Sequence, residues 1–229
     1  MSWARAEVSP SLRMLADPPG FMRKNLVIVN FEGAPRDTDD APLDLVMYSL
    51  PLSRVVGKKL GESLNVYFIA EASMLKFSPG ATAAGPAFKG YFCPYRQNDT
   101  LGTVISNKAD VMFTAAMDGC SLGIGSPTSG GARMIYHSNT ANLGSQSDPH
   151  AQGKAQGTTL SLMFGASGVD RVWAPKDYRF EMGQGILRST TFGVRNTGTG
   201  AWNFYSQVYT QGEAPMPTTY FLREVKTVL

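Results

Sequence analysis

The chain has 229 residues, 43% of them hydrophobic and 17% charged, with a formal net charge of +3. That composition supports a packed core and excludes wholesale disorder, and so small a charge, with no basic run interleaved with aromatics, speaks against a nucleic-acid partner. Two cysteines and two histidines make neither a disulfide framework nor a four-ligand zinc site without carboxylates, so no structural metal is expected.

In chain order, residues 1–24 show little periodicity and read as a loosely ordered lead-in. Residues 25–31, short and rich in Val and Ile, read as a buried strand, and a polar loop follows. Within 44–60 apolar residues recur near helical spacing, but Pro51 interrupts them, which predicts a short helix starting near Leu50 or Ser53. Residues 64–74 read as a strand, 78–86 as a small-residue loop and 87–95 as a strand again. Residues 110–117 lead into a Gly-rich hairpin formed by 120–125 and 132–138 around turn residues 126–131. The segment 139–157 is polar, with one short helix near 149–156. Further strands are predicted at 158–164, 172–180, 186–195, 201–211 and 219–225, with a hairpin turn at 196–200. No linker or internal repeat divides the chain, so one strand-dominated domain over residues 1–229 is expected, with packed sheets and few helices. No apolar run approaches the ~18 residues of a membrane span, and residues 1–21 hold no signal-peptide-like stretch. A soluble monomer follows, one that would leave its cell, if it does, without a cleaved signal.

The hairpin carries the functional reading. A turn centred between Thr128 and Ser129 sets Gly125 against Ala132, Ile124 against Arg133 and Cys120 against His137. Directly opposed residues of an antiparallel pair share a face, with Cβ atoms about 4.5–5.5 Å apart. This register places a thiol beside an imidazole, and a one-residue slip would separate them. The thiolate is the nucleophile, and an adjacent imidazolium lowers a cysteine from its usual pKa of ~8.5. Gly119 lets a carbonyl approach without a clashing Cβ, and the N–H of Cys120 or Ser121 is placed to serve an oxyanion. A cysteine in a strand is also an ordinary packed side chain, which is the reading for Cys93, between Phe92 and Pro94. His150 reads as a surface loop residue and is the reserve base.

The segment Met117-Asp118-Gly119-Cys120, with a histidine one hairpin later, resembles the glutamine deamidase toxins, the family of the cytotoxic necrotizing factor and Burkholderia lethal factor catalytic domains. Their nucleophile motif is Leu-Ser-Gly-Cys, so Met117 and Asp118 depart from it while Gly119 and Cys120 keep it. The lethal factor adds a threonine six residues before the cysteine, where this chain has Thr114. The resemblance implies a sandwich of mixed β-sheets bordered by a few helices and long loops. It implies catalytic roles for Cys120, His137 and Thr114, with support from Gly119 and Ser121, and no cofactor. It also implies a bacterial effector, secreted or injected into a host cytosol, whose substrate is a protein such as a GTPase or a translation factor. Thr114 would orient His137 through its other ring nitrogen, with Asn139 a rival for that task.

Two other readings stand beside this one. A protease or transglutaminase would use the same pair for a different reaction. A noncatalytic β-sandwich binding module would present Trp173, Trp202 and Tyr205 to a ligand. If a thiolate–imidazolium pair is the active form, activity falls in acid and in base.

Overall fold

A computed structural model describes residues 8–29, 41–140, 148–179, 187–212 and 217–229. Two helices, α1 (Pro10–Ala16) and α2 (Pro18–Lys24), stand where a loosely ordered lead-in was expected. Each starts on proline, whose missing N–H falls where a helix has no internal acceptor for it. Asp17 between them accepts from Gly20 N at 3.0 Å. Their buried side chains Met14, Phe21 and Met22 join Val27, Leu45 and Ile69 in one core cluster.

Among the described residues fourteen strands follow: β1 (Asn25–Val29), β2 (Leu43–Ser49), β3 (Val55–Lys59), β4 (Glu62–Glu71), β5 (Thr82–Ala83), β6 (Phe88–Cys93), β7 (Asp99–Ile105), β8 (Val111–Thr114), β9 (Ser121–Gly125), β10 (Arg133–Asn139), β11 (Val169–Trp173), β12 (Leu187–Arg195), β13 (Trp202–Gln211) and β14 (Thr218–Thr227). The expected sandwich is not formed. The strands β4, β3, β14, β13, β12, β8, β6 and β2 run in that order, and β2 pairs back onto β4 to close a mixed barrel. Closure removes the open edges that a sandwich leaves. The alternation of apolar and polar residues is the same in an open and a closed sheet, so the closing pair, Leu45–Tyr48 of β2 against residues 68–71 of β4, had no local sign.

Three local expectations also fail, each for a readable reason. The helix expected from residue 50 or 53 is a turn, Arg54 N donating to Pro51 O at 2.8 Å, followed by strand β3 paired with β4 and β14. β-branched Val55 and Val56 suit that pleated position. The strand expected at 158–164 is the end of helix α3 (Pro149–Phe164), in which Gln152, Gln156, Leu160 and Phe164 are buried at four-residue intervals. Of the strand expected at 172–180, residues 172–179 divide into the end of β11 and a short helix α4 (Pro175–Tyr178), opened by its proline, and residue 180 lies outside the described residues. Strands β2, β5 and β7 have no counterpart among the expected strands.

A smaller sheet, ordered β11, β9, β10, β7, lies beside the barrel. Its β9 strand explains how its two faces are used. Leu122 and Ile124 point to a core cluster shared with Tyr91, Met112 and Phe204 of the barrel. Gly123 points the other way, toward α3, where an added Cβ would stand 2.7 Å from the Phe164 ring. That bare position lets α3 lie close against the hairpin. Tyr136 of β10 packs edge-on against Phe164 on the same side.

Gln207 of β13 ties the first helices to the barrel wall. It is fully buried, its Nε2 donates to Met22 O and Asn25 O at 2.7 Å, and its Oε1 accepts from Val27 N at 2.8 Å. This one side chain satisfies three backbone groups at the α2–β1 junction.

Candidate active site

The hairpin forms, with a register shifted by two residues from the expected one. Its turn runs from Thr128 to Gly131, Gly131 N donating to Thr128 O at 2.9 Å, so its centre is Ser129–Gly130. Ser121 then faces Ser138, Leu122 faces His137 and Ile124 faces Ile135. A two-residue shift conserves the face, where a one-residue slip would reverse it. Cys120 stands one residue ahead of β9, so the same register extended places it beside Asn139 and diagonal to His137. Both belong to the face that looks toward the barrel. Diagonal neighbours lie farther apart than direct ones, about 7–8 Å between Cα atoms. No hydrogen bond joins Cys120 to His137 in this state.

Thr114, at the end of β8 in the barrel, reaches the smaller sheet. Its Oγ1 lies 2.8 Å from His137 Nδ1 and 3.4 Å from Cys93 O. A hydroxyl has one proton. Directed to the Cys93 carbonyl, that proton leaves the Thr114 oxygen to accept from Nδ1–H of the imidazole. The other ring nitrogen, Nε2, then carries a bare lone pair. It is buried and has no hydrogen-bond partner. Asn139 does not compete for the ring: its Nδ2 donates to Tyr95 Oη at 2.8 Å.

Burial sets the charge state of the pair. His137 and Cys120 are each 1% exposed. Burial pushes the imidazole down to about 3. Burial, helped by the charge of Asp118, pushes the Cys120 thiol up to about 12, against the opposing effects of the Asp118 backbone N–H and the Arg179 charge. At neutral pH the resting site therefore holds a neutral thiol and a neutral imidazole, and the expected thiolate–imidazolium pair is not its ground state. Cys93 is free and fully buried, and burial raises its thiol further still.

The segment that presents Cys120 is held from two helices. Tyr178 of α4 accepts from Gly119 N at 3.0 Å and donates to Cys120 O at 2.8 Å. Gln156 of α3 donates to Gly119 O at 2.9 Å and accepts from Ser121 Oγ. The Ser121 hydroxyl is therefore committed to α3, and the Gly119 N–H to Tyr178. Gly119 itself has φ +156°, a backbone region that side chains other than glycine's rarely occupy. Met117 fixes the other end, exchanging two backbone hydrogen bonds with Ser189 of β12 at 2.7 and 2.8 Å.

Tyr95 lies over His137, with ring centroids 5.1 Å apart, and remains 39% exposed. Burial and the nearby Cys120 both raise its phenol. Tyr95, Gln152, Gln156, Tyr178 and Arg179 were not read from sequence. Only the two glutamines left a sign there, the four-residue spacing they share with Leu160 and Phe164. His150 is exposed on the first turn of α3. Trp173 and Trp202 are 3% and 4% exposed, so they are core residues and form no ligand platform; Tyr205, half-buried, stacks on Phe192. Among the described residues no cluster of His, Cys, Asp and Glu is arranged to hold a metal ion, and no helix is long and apolar enough to cross a membrane.

No family model matches the chain, and no curated protein matches it. Among solved structures it is similar to the C-terminal domain of CNFy from Yersinia pseudotuberculosis, at 10% sequence identity and a TM-score of 0.42, over 95% of this chain and 96% of that one. A TM-score of that size does not establish a shared fold.

Proposed function

We propose that the chain is a cysteine-dependent amidohydrolase that converts a glutamine of a protein substrate to glutamate, with Cys120 as nucleophile, His137 as general base and acid, and Thr114 as the residue that positions His137. One observation carries this reading. The Thr114 hydroxyl holds His137 Nδ1 at 2.8 Å and leaves Nε2 bare and unpartnered, on the face that also carries Cys120. The resemblance in Thr114, Gly119, Cys120 and His137 selects glutamine deamidation among cysteine-dependent reactions.

Cys120 Sγ bonds to the carboxamide carbon while its proton passes to His137 Nε2. The tetrahedral oxyanion collapses, the C–N bond breaks, and Nε2–H protonates the departing nitrogen, which leaves as ammonia. Water then gives a proton to Nε2 and its oxygen to the thioester carbon. The C–S bond breaks, and the proton returns to sulfur. Because both groups are neutral at rest, the proton moves during attack and not before it. Substrate entry displaces Tyr95, the exposed residue over the imidazole.

The test compares the proteins of a eukaryotic lysate after exposure to wild type and to Cys120→Ser, by peptide mass spectrometry. The proposal expects glutamine-to-glutamate conversion at a defined site with wild type alone. A conversion that survives Cys120→Ser would remove Cys120 from the chemistry, and amine incorporation in place of hydrolysis would make the chain a transglutaminase.

A further inference from the structure

Helix α3 turns two glutamines, one helical turn apart, toward the segment that carries Cys120, and they differ in what they have bound. Gln156 has both ends of its carboxamide engaged, Nε2 on Gly119 O and Oε1 on Ser121 Oγ. Gln152 is 3% exposed, and its Oε1 is buried with no hydrogen-bond partner. It lies against Gly119. A Cβ there would stand 3.1 Å from Gln152 Nε2, 3.3 Å from Gln152 Oε1 and 3.2 Å from a guanidinium nitrogen of Arg179. The residue before the nucleophile is bare where a carboxamide and a cation converge.

A buried carbonyl oxygen without a donor weakens a fold unless something donates to it. The group it lacks is a hydrogen-bond donor, which a carboxamide N–H can supply. We propose that Gln152 is a specificity residue for the cysteine reaction, its Oε1 accepting a hydrogen bond from the NH2 of a primary carboxamide whose carbonyl carbon lies at Cys120 Sγ. This inference rests on the cysteine chemistry proposed above and names its substrate class. A primary carboxamide satisfies the acceptor. An ester offers no N–H and leaves it unpaired, which is how a polar site rejects an analogue lacking one donor. The half-buried Arg179 lies beside the same point, and its charge favours negative charge on Cys120.

The test uses two alkylating reagents on the full chain, iodoacetamide and methyl iodoacetate, with glutathione as the free-thiol reference. Modification of Cys120 is followed by mass spectrometry of its peptide. Wild type is expected to favour iodoacetamide by about fivefold more than glutathione does, the size of one neutral hydrogen bond. Gln152→Leu, similar in size, should fall to the glutathione ratio. Gln152→Glu, which keeps an acceptor, should retain the preference. A wild-type ratio equal to that of glutathione overturns the role of Gln152 without any variant having to fold. So does an unchanged ratio in Gln152→Leu, or a Cys120 that takes neither reagent in the folded protein. Deamidation is read separately through Cys120→Ser, so a missing amide preference beside intact deamidation removes Gln152 alone. A preference without deamidation leaves the carboxamide site and removes the reaction.

Discussion

Thr114 Oγ1 and His137 Nδ1 meet at 2.8 Å across the seam between the barrel and the smaller sheet. Thr114 ends a barrel strand and His137 lies in the hairpin sheet, so the contact fixes the imidazole relative to two separately built layers. The same hydroxyl also lies 3.4 Å from Cys93 O, and a proton directed there leaves its oxygen to accept from the imidazole Nδ1–H. Removing that hydroxyl while keeping the shape of the side chain isolates its role. Thr114→Val should lower turnover about 10–100-fold, as loss of an orienting partner does, whereas Thr114→Ser should retain most of it. Nitrogen NMR of the imidazole checks the cause directly: the wild-type ring should be neutral with its proton on Nδ1, and Thr114→Val should lose that single-tautomer pattern.

Cys120 should react slowly for a nucleophile. With its thiol pushed up to about 12, the thiolate is scarce at neutral pH, and alkylation should be slower than for a free thiol. The rate should climb with pH beyond the point at which a free thiol has levelled off. Tyr95→Ala should raise it several-fold by uncovering His137 and the thiol beside it. Rates of Cys120 modification against pH, in wild type and Tyr95→Ala, check both points. A Cys120 that reacts faster than glutathione at neutral pH would contradict the neutral resting pair.

Acid should unfold the protein through His137. Its folded pKa, about 3, lies below the ordinary value of 6.5, so the unfolded chain binds the proton more tightly. The stability that the neutral ring contributes is complete above pH 6.5 and is lost as pH falls from there toward 3. The two thiols act at the other end. Their folded values lie above the ordinary 9.0, so their contribution is complete below that value and lost as pH rises past it. Urea unfolding at a series of pH values should show both slopes, and His137→Gln should flatten the acid one.

Two core substitutions should separate folding from chemistry. Gln207→Leu removes three hydrogen bonds at the α2–β1 junction, two of them buried, far in sequence from the candidate site, and should cost about 2–4 kcal/mol of stability. Gly119→Ala puts a Cβ 3.1 Å from Gln152 at φ +156°, and should cost about 1–3 kcal/mol through strain. Gly119→Ala should also disturb the Cys120 segment, so it lowers turnover, while Gln207→Leu leaves turnover per folded molecule unchanged. Denaturant unfolding and specific activity, measured on the same samples, check the pair.

The part of this site that was legible in sequence is the part that is local. Strands β9 and β10 and the turn between them lie within one short stretch, and strand parity alone puts Cys120 and His137 on one face. The register itself was misread by two, because it depends on where among Pro127, Thr128, Ser129 and Gly130 the chain bends, and composition does not say. Thr114 could be named only through the resemblance, since its partner lies on another sheet. Tyr178 reaches Cys120 O from 58 residues away, and Gln156 reaches Gly119 O from 37, through helices whose packing no pattern near Cys120 encodes. Closure of the barrel was illegible for the same reason. The pairing of β2 with β4 adds hydrogen bonds without changing which residues alternate.

In the proposed reaction Cys120 attacks a carboxamide while His137 takes its proton. The most direct measurement exposes a eukaryotic lysate to the protein in water enriched in heavy oxygen, then sequences the lysate peptides by mass spectrometry. Wild type should yield at least one glutamate, formed from glutamine, that carries heavy oxygen in its side chain, and both Cys120→Ser and His137→Ala should abolish it. The same labelled glutamate appearing undiminished with Cys120→Ser, or appearing with none of the three proteins, would contradict the account.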